Sequence, residues 1–161
     1  MYYENYHVIG LQRTGTNWLH ALIKENFNVK RRQNFWKHLT PLGQKSDYNN
    51  LHGPEHSNLI LHEKIFYIVT DKNLEQWKKS ISKRKVDFFV SHNFPDEENK
   101  NVEDIFYAWQ KWKIENIDKN NFYYKNYNDW NNNWKEYLNE IKEITNWKTN
   151  HKNFVAVERR F

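Results

Sequence analysis

Residues 10–18, Gly-Leu-Gln-Arg-Thr-Gly-Thr-Asn-Trp, constrain this chain more than any other stretch. They follow a short apolar run at 6–9 and lead into an amphipathic segment at 18–27. A strand, a tight glycine turn and a helix in succession form an anion cradle, because the first amides and the positive dipole end of the helix face one spot. Arg13 adds forked, charged donors there, and Thr14 and Thr16 add hydroxyls. A phosphate or sulfate group suits such a cradle. The spacing departs from the ATPase loop G-x-x-x-x-G-K-[ST]: Gly10 and Gly15 stand at the right separation, but Thr16 and Asn17 follow where that loop has its lysine.

The rest of the chain alternates in kind. A strand over residues 6–11, the loop and a helix over 17–26 lead to a short extended piece near 34–39. Residues 40–57 carry Pro41, Gly43, Gly53 and Pro54 among polar side chains and read as loop. Phe66-Tyr67-Ile68-Val69 is aromatic and β-branched, which predicts a buried strand over 65–69 and then a helix over 74–85. Another loop covers 87–100. Ile105, Phe106, Trp109, Trp112 and Ile114 fall at helical spacing and predict a helix over 102–117. A strand over 121–125 precedes a helix over 130–145. Strands alternating with helices imply an α/β fold with a parallel sheet covered on both faces, residues 1–161 forming a single domain. Ligands of such sheets bind at the carboxyl edge of the strands. Arg13, Lys72 and the Lys37-His38 pair are expected to meet there.

Arg13-Thr14-Gly15-Thr16-Asn17-Trp18 resembles the sulfotransferase loop, written Lys-Ser-Gly-Thr-Thr-Trp in cytosolic members and beginning Arg-Ser-Gly-Thr-Asn in some other branches. A second segment, Asp71-Lys72-Asn73-Leu74 with Ser80 beyond it, is similar to the family's Arg-Asn-Pro and its following serine. Lysine stands for arginine and Leu74 for proline; a lysine keeps the charge but not the bidentate fork. A weaker echo is Phe-Tyr-Tyr-Lys-Asn-Tyr at 122–127, where the family often ends a strand in Tyr-Glu-Asp-Leu; it speaks for topology only. The echoes run in the family's order from residue 6 to about residue 144.

The resemblance implies a three-layer, P-loop NTPase-like sulfotransferase fold and the donor PAPS (3′-phosphoadenosine 5′-phosphosulfate), with PAP as product. Arg13, Thr14, Gly15, Thr16 and Asn17 would hold the 5′-phosphosulfate, with Arg13 stabilising charge on the departing oxygen. Lys72 and Ser80 would hold the 3′-phosphate. Trp18 would pack on adenine or, equally, belong to the core under the first helix. For the general base, Trp36-Lys37-His38-Leu39-Thr40-Pro41 resembles the family's Lys-x-His-Leu-Pro segment with altered spacing, which selects His38, with Glu63 and His62 in reserve. The family's C-terminal Arg-Lys-Gly element is not evident, leaving Arg159 and Arg160 as substitutes. A small-molecule or carbohydrate acceptor is expected, and a homo-oligomer is one way to complete its pocket.

Composition narrows the alternatives. The chain has 161 residues and no cysteine, which excludes disulfides and thiolate metal sites. His52 and His56 flank Gly53-Pro54, which keeps them off one helix face, so no metal site is expected. No segment approaches the roughly 18 to 20 apolar residues of a membrane span, and the N-terminus lacks a signal-peptide pattern, so the expected location is cytoplasmic. Eight Trp, 10 Tyr and 10 Phe suggest a core packed by rings, and the Asn-rich stretch 126–133 reads as compositional bias. The net charge of +5 invites an acidic partner. Nucleic acid is the disfavoured one, since a multiply charged nucleotide needs a basic site as well. Two other readings stand beside the sulfotransferase: a non-catalytic module binding PAP or nucleic acid, and a divergent P-loop phosphotransferase.

Overall fold

The computed structural model describes residues 2–11, 13–32, 62–81, 101–116 and 122–158. In chain order these form β1 (Asn5–Ile9), α1 (Thr16–Asn26), β2 (Lys30–Arg31), β3 (Ile65–Val69), α2 (Leu74–Ile81), α3 (Val102–Asn116), β4 (Phe122–Tyr124) and α4 (Tyr127–Thr145). The four strands make one sheet in the order β2-β1-β3-β4, and every neighbouring pair is parallel. The chain is an α/β protein, as the alternation implies.

Alternation of side chains along the strands divides the core in two. Tyr6, Val8, Phe66, Ile68 and Tyr123 pack with Leu19, Leu22 and Ile23 of α1 and Trp130, Leu138 and Ile141 of α4. Ile9, Ile65, Tyr67 and Val69 pack with Trp77 and Ile81 of α2 and Ile105 and Trp109 of α3. All five β3 residues are buried, as a central parallel strand requires. Rings fill much of both layers. Trp77, Trp109 and Trp130 are fully buried, and Trp147 meets Phe66 edge-on at 5.6 Å between centroids. Such aromatic pairs add about 0.5–1.5 kcal/mol beyond their burial.

Several boundaries differ from those read in the sequence. The first strand stops at Ile9 rather than at residue 11, because the chain must turn at Gly10, where a Cβ would lie 2.6 Å from the Thr14 hydroxyl. α1 begins one residue earlier than expected, α3 ends at Asn116, and β4 is trimmed to three residues. β2 lies before the anticipated extended piece near 34–39, which falls outside the described residues together with 82–100. α4 starts at Tyr127 rather than residue 130, since the Asn126 side chain accepts from the Asp129 amide at 2.9 Å and caps it. Among the described residues no helix is long and apolar enough to cross a membrane.

Candidate functional site

Three helices, α1, α2 and α4, follow directly on the carboxyl ends of β1, β3 and β4. In a parallel sheet this turns three helix N-termini, each with a partial positive charge, toward one edge. The first is the loop after β1. Arg13 (φ 66°) and Gly15 (φ 90°) both adopt the left-handed conformation. For arginine that costs about 1–3 kcal/mol, so the surroundings must hold it. They do: the Thr14 hydroxyl donates to the Leu11 carbonyl at 2.6 Å, and the Thr70 hydroxyl donates to the Thr14 carbonyl at 2.9 Å. Thr14 is therefore fully buried, and its hydroxyl holds the loop's shape rather than facing a ligand. Arg13 keeps a buried Nε without a hydrogen-bond partner among the described residues. A buried guanidinium N–H in that state is costly unless an anion answers it.

The second terminus follows β3. Asn73 accepts from the Gln76 amide at 2.8 Å and caps α2. Lys72 folds back along that helix, its Nζ donating to the Ser80 hydroxyl at 3.0 Å. Ser80 donates in turn to the Gln76 carbonyl at 3.1 Å. Burial, and then the charge of Arg13, hold the Lys72 ammonium below its usual pKa. The two cations, 59 positions apart in sequence (72 − 13), thus act on each other across one site.

Tyr127, at the start of α4, joins the two segments. Its amide donates to the Asp71 carbonyl at 2.7 Å, and its ring lies beneath the Lys72 ammonium, 4.5 Å from Nζ to the centroid. The same ring covers Gly15, where a Cβ would stand 2.7 Å from Cδ2. Glycine is required at that position both for its φ and for the approach of this ring.

Asp71 was not legible as a site residue. It is 4% exposed, and its carboxylate accepts from Trp109 Nε1 (3.2 Å), Gln110 Nε2 (3.0 Å), the Lys72 amide (2.9 Å) and Lys113 Nζ. Trp109, Gln110 and Lys113 share one face of α3, so this carboxylate ties α3 to the end of β3. The only trace in the sequence is a polar pair, Gln110 and Lys113, beside the apolar stripe of that helix. A cleft of about 520 Å³ opens here, lined among others by Asp71, Lys72, Asn73, Gln110, Tyr124 and Asn126.

Of the residues expected at the site, Gly15 and Lys72 meet at Tyr127, Ser80 is bonded to Lys72, and the charge of Arg13 reaches Lys72, while Thr14 and Thr16 are buried. Asn17 is exposed in the first turn of α1. Trp18 is 8% exposed and belongs to the core under α1, with its indole edge-on to Tyr127 at 6.4 Å. The reserve bases are corrected by topology. His62 and Glu63 precede β3, at the amino edge of the sheet, and the strand's five residues span about 16 Å to the edge that holds Arg13 and Lys72. Lys37, His38, His52, His56, Arg159 and Arg160 lie outside the described residues. No family model, no curated protein and no solved structure matches the chain.

Proposed function

We propose that this chain is a PAPS-dependent sulfotransferase with the P-loop-like fold of that family, acting on a hydroxyl or amine of a small-molecule or carbohydrate acceptor. The observation that supports the reading is the placement of two cation-bearing loops, after β1 and after β3, on one edge of the sheet. Arg13 has a buried Nε without a hydrogen-bond partner among the described residues, its charge helps to lower the Lys72 pKa, and Lys72 is bonded to Ser80. A nucleotide with anionic groups at both its 5′ and 3′ positions matches two such elements better than a simple mononucleotide does.

When bound, PAPS would supply the sulfuryl group for transfer to the acceptor. Arg13 would hold the 5′ end and stabilise negative charge on the departing bridging oxygen, as a fixed cation in a partly buried site can. Lys72 and Ser80 would hold the 3′-phosphate by a charge-assisted hydrogen bond and a hydroxyl contact. His38 would take the acceptor's proton as the new S–O bond forms and the old one breaks.

The test is thermal stability with PAP, AMP and ATP, since a ligand that binds only the folded state raises the apparent stability. A shift selective for PAP supports the assignment; a larger shift with ATP points to the phosphotransferase. His38→Ala should abolish transfer from labelled PAPS while PAP still binds, and transfer at the normal rate would place the base elsewhere. Lysine in place of arginine at position 72 favours one other reading, a non-catalytic nucleotide-binding module. It predicts PAP binding with no transfer to any acceptor.

A further inference from the structure

Lys72 has an anion as its chain neighbour. The buried Asp71 carboxylate and Lys72 both line the cleft of about 520 Å³ at the carboxyl edge of the sheet. A carboxylate there can oppose an incoming anion in two ways, by repelling it and by drawing the lysine ammonium to itself. Its ion pair, however, is made elsewhere. Among the described residues Asp71 pairs with Lys113 of α3, and no carboxylate pairs with Lys72. The Lys72 ammonium turns instead to the Ser80 hydroxyl at 3.0 Å and to the Tyr127 ring. Its lowered pKa agrees, since a carboxylate in contact would raise it. Lys113 is itself largely covered, its ammonium lying 4.9 Å from the centre of the Tyr124 ring and 3.3 Å from that residue's hydroxyl. Neutral donors serve the carboxylate too: Trp109 Nε1 at 3.2 Å, Gln110 Nε2 at 3.0 Å and the Lys72 amide at 2.9 Å. What Lys113 adds to these is charge.

Taking Lys72 and Ser80 as the 3′-phosphate element of the proposed function, on which this rests, we propose that Lys113 sets the preference for that phosphate. By neutralising Asp71 it leaves the Lys72 ammonium to the nucleotide's second anion. Without Lys113 the carboxylate would cancel one of the two cations, Arg13 and Lys72, that the site offers. In a partly buried site such a charge is weakly screened by salt. Lys113 thus acts through Asp71 and Lys72, as a positioning residue. Two other roles for the pair make different demands. A purely structural tie between α3 and the end of β3 suffers alike whichever partner is removed. A lysine that binds phosphate directly is missed even after Asp71 has been neutralised.

The experiment is calorimetric titration of the full chain with PAP and AMP at neutral pH, in the wild type, Lys113→Met, Asp71→Asn and the double variant. Lys113→Met should lower the PAP-to-AMP affinity ratio about fivefold or more. Asp71→Asn, which deletes the same ion pair from the other side, should not lower it. The double variant should return to within about twofold of the wild type. Urea unfolding verifies that each variant is folded; should Lys113→Met not fold, Lys113→Gln, which keeps a neutral donor, takes its place with the same expectation. An unchanged ratio in the Lys113 variant, an equal loss in Asp71→Asn, or a double variant as weak as Lys113→Met would overturn the proposal. No preference for PAP in the wild type would defeat the 3′-phosphate reading itself, whereas a preference kept without Lys113 defeats this inference alone.

Discussion

Replacing Gly15 with alanine probes the contact that joins the loop to Lys72. Two penalties are expected. An L-residue at φ 90° costs about 1–2 kcal/mol. A Cβ at 2.7 and 2.8 Å from Tyr127 Cδ2 and Cε2 is far inside ordinary contact, and moving the ring costs a further ~1–3 kcal/mol. The smaller entropy of the unfolded alanine chain offsets roughly 0.4–1 kcal/mol of this. Gly15→Ala should therefore lower stability by about 1–4.6 kcal/mol, read from urea unfolding with the slope unchanged. A double-mutant cycle separates the two terms. In a Tyr127→Ala background the ring penalty vanishes, and Gly15→Ala should cost only the backbone share less the same offset, about 0–1.6 kcal/mol. A loss below about 0.5 kcal/mol, or equal losses in both backgrounds, would refute the packing of Tyr127 over the loop.

Lys113→Met leaves the buried Asp71 carboxylate with its neutral donors only and should destabilise by about 2–4 kcal/mol in urea, while a loss under about 1 kcal/mol would mean that solvent reaches the pair. Alkaline pH provides a test with a definite sign. Burial holds the phenols of Tyr67, Tyr123 and Tyr124 above the ordinary 10.0, so the unfolded chain loses these protons first. Their contribution is fully present below pH 10 and is lost as pH rises beyond it; urea midpoints should fall there, with phenolate absorbance from these rings appearing only on unfolding.

The sequence made the parallel α/β architecture legible because buried parallel strands are nearly continuous apolar runs and the helices carry regular stripes. Phe66 to Val69 and the Ile105-Trp109-Trp112 spacing are such signals. β2 gave none: Lys30 and Arg31 are both exposed and show no apolar alternation. Asn126 was hidden among other asparagines, since only its bond to the Asp129 amide distinguishes a cap from composition. At the site, charge and glycine positions in the loop were readable, but the direction of a hydroxyl was not. Thr14 was expected to face an anion and instead binds its own loop. Asp71 escaped notice because its partners lie some forty residues away on α3, a separation that no local pattern encodes. His62 and Glu63 have the chemistry of a base, but they precede β3 and so lie at the amino edge of the sheet, a placement set by strand direction and not by residue type.

In the proposed sulfotransferase, Lys72 and Ser80 read a 3′-phosphate while the Arg13 loop reads the 5′ end. Titration calorimetry with PAP and AMP, which differ only in that phosphate, tests it directly. A charge-assisted hydrogen bond contributes about 1.5–3 kcal/mol, so the wild-type chain should prefer PAP by roughly 10- to 150-fold. Lys72→Met should bring that ratio close to one, and Arg13→Ala should weaken both ligands alike. Equal affinity of the unaltered protein for PAP and AMP would contradict the account.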